Sequence, residues 1–212
     1  MTKTNTFDPE SYLARRDANE KTLTAAGVYG EGFEHDACGV GFVAARDGNP
    51  TRAVVDAAIE ALQAIWHRGA VDADGMTGDG AGIHIEIPRG FFIEHIARTG
   101  HDDDGGRLAV GMVFLPRSDL AAQERCRCIV EREILEFDHF IYGWRQVPVD
   151  IRALGDKANS TRPEIEQIMF SMPANMDEAE AERQLYIVRR RIEKAVTAEL
   201  ITDFYICSMS SR

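Results

Sequence analysis

Cys38-Gly39-Val40-Gly41-Phe42 decides how the rest of this chain reads. Val40, Phe42 and Ala44 alternate with other residues at the period of a strand, and Asp47-Gly48-Asn49-Pro50 supplies a turn that stops it. Ahead of the cysteine lies a leader, residues 1–37, polar and weakly patterned over residues 1–29, with Asp8-Pro9 as a turn and Ser11 to Leu23 as a short helix. Cutting the Ala37–Cys38 bond would leave a strand whose first residue carries both a thiol and a free amine. Nucleophile and general base then sit on one residue, and no histidine is needed. An α-amine has a reference pKa of about 7.7–8.0, so roughly a tenth of it is available as base at neutral pH. The competing reading of Cys38 is a buried structural thiol, the commonest fate of a free cysteine.

Two glycine-marked motifs follow. Thr51 can cap a helix whose apolar positions Val54, Val55, Ala58, Leu62, Ile65 and Trp66 recur at helical spacing, and His67-Arg68-Gly69-Ala70 suits its C-terminus. Arg68 there is either a residue complementing the helix dipole or a planar, permanently charged donor for a site. His67 reads as a cap. Thr77-Gly78-Asp79-Gly80-Ala81-Gly82 has the spacing G-x-G-x-G and precedes a strand, Ile83 to Ile87. A dinucleotide fingerprint instead needs G-x-G-x-x-G between a strand and a helix, so nucleotide binding is not expected here. These glycines let a backbone turn tightly beside a pocket, and Asp79 reads as a turn residue that could also orient the loop.

Further along, Phe91 to Arg98 reads as a short helix, His101 to Gly106 as a solvated acidic loop, and Leu108 to Leu115 as a strand buried on both faces. Ser118 can cap a helix from Asp119 to Phe137. Phe140–Val149 and Ile165–Met172 read as strands, with Gly155 to Ser160 between them as a polar loop. Asp177 can cap a long helix to Ala198, with Leu185, Val188, Ile192 and Val196 on one face, and Phe204–Ser208 is a last strand. This order of elements is an α+β or mixed α/β domain.

The bulk properties narrow the function. The 212 residues carry 24 Lys and Arg against 35 Asp and Glu, a net charge of −11, with no basic block. That argues against non-specific binding to nucleic acid or anionic membrane, and a small-molecule site fits better. No segment approaches the roughly 20 apolar residues of a membrane span, and the first residues hold no signal-like apolar run, so a cytoplasmic protein is expected. Cys38, Cys126, Cys128 and Cys207 follow neither a disulfide framework nor a zinc spacing. Cys126 and Cys128 fall i and i+2 on one helix, which does not turn them to a common ligand, so no metal is expected.

Taken together, Cys38-Gly39-Val40-Gly41-Phe42, Trp66-His67-Arg68-Gly69-Ala70 and Thr77-Gly78-Asp79-Gly80-Ala81-Gly82 resemble, in order and spacing, the class II glutamine amidotransferase domain of glutamate synthase large (alpha) subunits. Gly143-Trp144-Arg145-Gln146-Val147-Pro148-Val149 and Phe204 to Arg212 extend the resemblance, which runs from about Gly30 to the last residue. It implies an αββα four-layer sandwich of the N-terminal-nucleophile hydrolase type, incomplete at the C-terminus, with a propeptide 1–37 removed between Ala37 and Cys38 and the N-terminal part of the amidotransferase domain over 38–212. It further implies Cys38 as nucleophile on glutamine, Arg68 and Gly69 as substrate-binding or nucleophile-orienting residues, and Gly78, Asp79 and Gly80 as a pocket loop. The resemblance places the carboxylate-gripping arginine, an Asn-Gly oxyanion hole and the aspartate for the substrate amine beyond Arg212. The isolated chain is therefore expected to be nearly inactive, since losing one oxyanion donor alone costs about 10²–10³ in rate. For the parent enzyme it implies FMN and a 3Fe-4S cluster outside these residues, with FAD and NADPH on a flavoprotein small subunit. Two rival readings remain: a stand-alone amidotransferase of the same type, and a non-catalytic fragment.

Overall fold

The computed structural model describes residues 39–65, 71–78 and 80–212, together with residues 14, 15, 18, 21, 22 and 25 of the leader. Its contacts divide the chain into two units, Met1–Gly41 and Phe42–Arg212. In the first, the described leader residues are helical, and Thr22 Oγ1 donates to the Ala18 carbonyl at 2.9 Å.

The second unit is built from helices α1 (Arg52–Ala64) and α2 (Arg89–Arg98), strand β1 (Arg107–Leu115), helix α3 (Leu120–Leu135), strand β2 (Phe140–Gln146), helix α4 (Asp156–Thr161), strand β3 (Glu164–Met172), helix α5 (Glu178–Ala198) and strand β4 (Tyr205–Ser210). The four strands form one antiparallel sheet in the order β2-β3-β1-β4. Period-2 alternation sends successive side chains to opposite faces, and both faces are used. Ala109, Val113 and Leu115 of β1 and Ile168, Phe170 and Met172 of β3 pack under α3 and α5. Leu108, Val110, Met169 and Tyr142 pack under Phe92 and Ile96 of α2. This is an α+β architecture, and the continuous apolar run of β1 reflects its two covered faces.

The α5 stripe of Leu185, Val188, Ile192 and Val196 is buried as its spacing predicts, and Asp177 caps the helix by accepting from Glu180 N at 2.9 Å. The α3 cap differs from expectation by one residue. Asp119, not Ser118, accepts from Ala122 N at 2.9 Å, because a carboxylate at that position also complements the helix N-terminus. Glu133 of α3, buried, accepts from Arg132 at 2.9 Å and from Arg191 of α5 at 2.6 Å, tying the two helices together. Gly143, at φ 136°, sits where β2 shifts register against β3, a bulge that sends Trp144 Nε1 to Glu131 at 2.6 Å and Arg145 to Gln167 at 2.7 Å. The Gly143-Trp144-Arg145 stretch thus joins the sheet to helices on both faces, since Arg145 also lies over the Phe91 ring of α2.

Three expectations are corrected. Residues 39–45 and 83–87 alternate like strands but pair with nothing among the described residues; Val40 and Phe42 are 91% and 93% exposed. Alternation records which face could be buried, whereas a strand exists only through a hydrogen-bonded partner. Residues 156–161 form helix α4 instead of a loop, held by contacts to a segment far away in sequence. The acidic stretch Asp102-Asp103-Asp104 is also more than a solvated loop: Asp103 pairs with Arg89 at 2.8 Å, and Asp104 accepts from Tyr142 Oη at 2.6 Å and Ser171 Oγ at 2.8 Å. The turn at Asp47-Gly48-Asn49 forms as expected, with Gly48 at φ 70° and its N–H bonded to the Ala45 carbonyl.

His139, only 2% exposed, stacks between Phe137 and Phe170, and neither ring nitrogen has a hydrogen-bond partner. Burial lowers its pKa, against a weaker upward pull from Asp138. The folded chain therefore holds the neutral ring, while the unfolded chain protonates near the ordinary value. Stability is full above about pH 6.5 and falls as pH drops below it, with a slope approaching about 1.4 kcal/mol per pH unit from this group until the folded-state pKa is reached. Replacing His139 with Leu should flatten that portion of the acid side of a stability–pH curve measured by urea titration. An unchanged difference between variant and parent from pH 7 to pH 5 would refute it.

Candidate active site

The loop Val71–Gly78 connects the His67-Arg68-Gly69-Ala70 motif to the Gly78-Asp79-Gly80 motif, and its sequence dictates its shape. Val71 and Gly78 form an antiparallel bridge, and Asp72 N donates to the Thr77 carbonyl at 2.7 Å. The turn between them is closed by Gly75, at φ 69°, whose N–H reaches the Asp72 carbonyl at 2.9 Å. Asp74 accepts from Met76 N at 2.9 Å, from Thr77 N at 2.7 Å and from Thr77 Oγ1 at 2.5 Å. The Thr77 hydroxyl, followed by those two backbone amides, holds the Asp74 carboxyl down at about 2. Asp74 is therefore a carboxylate throughout the neutral range, and it serves the turn as a structural acceptor.

Helix α4 carries the other half of this arrangement. Lys157 Nζ pairs with Asp72, which lowers the Asp72 pKa, aided by the Ala73 amide. Ala158 N donates to Thr77 Oγ1 at 3.3 Å. Gly155, the α4 N-cap, lies so close that a Cβ there would meet Asp74 Oδ2 and Thr77 Oγ1 at 2.3 Å and Thr77 N at 2.7 Å. Sequence reading found the glycine motifs on this loop but not its anchor. The local signal was present in Asp74-Gly75 and in Thr77 three residues after Asp74, a side-chain-capped turn.

Of the residues expected at the site, Gly78 closes the Val71 bridge, and Gly80 is exposed with open space where a Cβ would stand. Ala37, Cys38, Arg68, Gly69 and Asp79 lie outside the described residues, as does the expected helix end at Trp66 and His67. The helix leading toward them, α1, forms with Thr51 at its N-cap, though the Thr51 side chain makes no capping bond.

The remaining thiols do not fit a metal or cluster site. Cys126 is buried in the α3 face against the sheet, where burial pushes its thiol to about 11, while Cys128, two residues on, is exposed. Cys207 is exposed on β4. No group of three or more His, Cys, Asp or Glu side chains is arranged to hold a metal ion among the described residues, and among them no helix is long and apolar enough to cross a membrane.

Comparison with known proteins bears on the same residues. Residues 38–212 match the family described as glutamine amidotransferases class-II. The chain is 59% identical over 203 residues to the glutamate synthase [NADPH] large chain of Azospirillum brasilense, covering 96% of this chain and 13% of that protein. It is 42% identical over 180 residues to ferredoxin-dependent glutamate synthase 2 of a Synechocystis strain, covering 84% of this chain and 11% of the relative. The chain thus spans a small part of the length of these relatives. With the family match covering everything from Cys38 to Arg212, the chain belongs to the class-II glutamine amidotransferases.

Proposed function

We propose that this chain is the glutamine-hydrolysing part of a glutamate synthase large chain, with Cys38 as its nucleophile. The observation that carries the reading is the 59% identity to a glutamate synthase large chain across nearly the whole sequence, joined to a family match whose first residue is Cys38. After cleavage of the Ala37–Cys38 bond, the Cys38 amine accepts the thiol proton and the thiolate attacks the side-chain amide carbon of glutamine. The C–N bond breaks, ammonia leaves with the proton returned by the amine, and a thioester to Cys38 remains. Water, giving up a proton to the same amine, then releases glutamate and restores the thiol. Arg68 orients the new N-terminal residue, with Gly69 leaving room beside it, and Gly78, Asp79 and Gly80 border the pocket.

The finer architecture follows the same reading. The described sheet is one of the two stacked sheets of an αββα sandwich. Supporting this, Met112 and Phe114 of β1 are only half-buried on the α2 side, while Val113 and Leu115 are fully covered by α3 and α5. Residues 1–37 act as the removable leader. Ammonia passes to synthase domains of the same large chain, where it and 2-oxoglutarate yield a second glutamate. Those domains, and not these residues, carry FMN and the 3Fe-4S cluster, with FAD and NADPH on a small flavoprotein partner, and the assembly is cytoplasmic.

Mass and N-terminal sequencing of the protein isolated from its own cells test this reading at both ends. The expected species is a long polypeptide beginning at Cys38. A chain that still begins at Met1 or Thr2 would overturn the cleavage, and a species of 23.6 kDa would overturn its place in a larger enzyme.

A further inference from the structure

We propose that Gly155 and Lys157 of the α4 turn are positioning residues for glutamine hydrolysis: they seat the Val71–Gly78 loop and thereby set the two motifs that leave its ends. The inference rests on the glutaminase reading above. Its basis is geometric. The loop is a closed unit, because the Val71–Gly78 bridge and the Asp72–Thr77 bond tie its two ends together. The chain toward Arg68 and the chain toward Asp79 therefore depart from one bridge, and displacing that bridge displaces both.

What seats the loop is α4 alone among the described residues. Among the described residues, the polar contacts that leave the loop's side chains go there: Lys157 to Asp72, and Ala158 N to Thr77 Oγ1. The Lys157 and Asp72 side chains are 72% and 34% exposed, so their pairing contributes little by itself and serves mainly to set register. Contact at Gly155 is the stronger constraint. A methyl group there would stand 2.7 Å from a backbone atom, Thr77 N, as well as against Asp74 and Thr77 oxygens, so the loop would have to move off α4. Asp74 and Thr77 are held to each other by two bonds, and Met76 N adds a third to Asp74, so the loop would move as a body instead of deforming. A loop that short and that internally bonded transmits a shift to both ends.

The test uses the full-length enzyme carrying Gly155→Ala, Lys157→Glu, Asp72→Lys, or the last two combined, with Cys38→Ala as control. Each is assayed for kcat and KM with glutamine, for ammonia-dependent glutamate synthesis and for Tm. Gly155→Ala is expected to lower kcat/KM for glutamine about tenfold or more, as displacements near 1 Å do, while ammonia-dependent synthesis and Tm hold. Each single charge reversal is expected to impair the glutamine reaction, and the combined reversal to recover it. Parent values of kcat and KM in Gly155→Ala, or no recovery in the double variant, would overturn the proposal. So would an equal loss of glutamine-dependent and ammonia-dependent activity with a lowered Tm, the mark of a merely structural role. Retained glutaminase in Cys38→Ala would instead overturn the underlying reading.

Discussion

On the proposed reading, replacing Cys38 with alanine is expected to abolish both glutaminase activity and glutamine-dependent glutamate synthesis in the full-length enzyme, and to leave ammonia-dependent synthesis in place. The expected loss is of the size seen when a hydrolase loses its nucleophile, on the order of 10⁶ in kcat. Nothing among the described thiols can substitute. Cys126 is sealed between α3 and the sheet with its thiol held at about 11, so its thiolate is scarce at neutral pH. Cys128 and Cys207 are exposed on α3 and β4, and neither lies on a glycine-marked motif. Ammonia-dependent synthesis separates this loss from a folding defect, because it bypasses the amide-cleaving step. Glutaminase that survived the substitution would place the nucleophile elsewhere in the chain.

The parts of this molecule that were legible in sequence are those whose structure is decided locally or by one repeated face. Helix α5 could be read in full, cap included, because Asp177 bonds within its own first turn and the stripe from Leu185 to Val196 repeats at helical spacing. Strand β1 could be read because residues on both of its faces are buried, in a nearly continuous apolar run from Leu108 to Leu115. What escaped was decided by partners distant in sequence. Residues 39–45 and 83–87 carry the strand alternation without a described partner strand. Helix α4, polar but for Ala158, has no apolar stripe to announce it; its Lys157 meets Asp72 across 85 positions. The site shows the same division. Its motifs were found by order and spacing, yet the contact that seats the loop between them depends on the absence of a side chain at Gly155, which no periodicity records.

The largest stability effect is expected at Phe170, and its position explains why. It is fully buried on β3, an inner strand, facing α3 and α5, with Ala109 of β1 on one side in register and Ile141 of β2 on the other. His139 stacks on its ring at 5.9 Å between centroids. Phe170→Ala removes the ring from a core whose walls are two helices cross-linked through Glu133, Arg132 and Arg191, so the site collapses poorly. Such a substitution costs about 3–5 kcal/mol, a large share of the roughly 5–15 kcal/mol by which a domain is stable. At about 2–4 °C per kcal/mol for a unit of this size, the Tm should fall by on the order of 10 °C. Tyr205→Ala is the matched control: it also removes an aromatic ring from the sheet, but Tyr205 is 54% exposed and its ring meets only one aromatic neighbour, Phe114. Its cost should stay near the roughly 0.5 kcal/mol of surface substitutions. Comparable losses at the two positions in urea titrations would mean that the helix-covered face does not carry the stability. The Phe170 prediction and the account of two unequal sheet faces would then fail together.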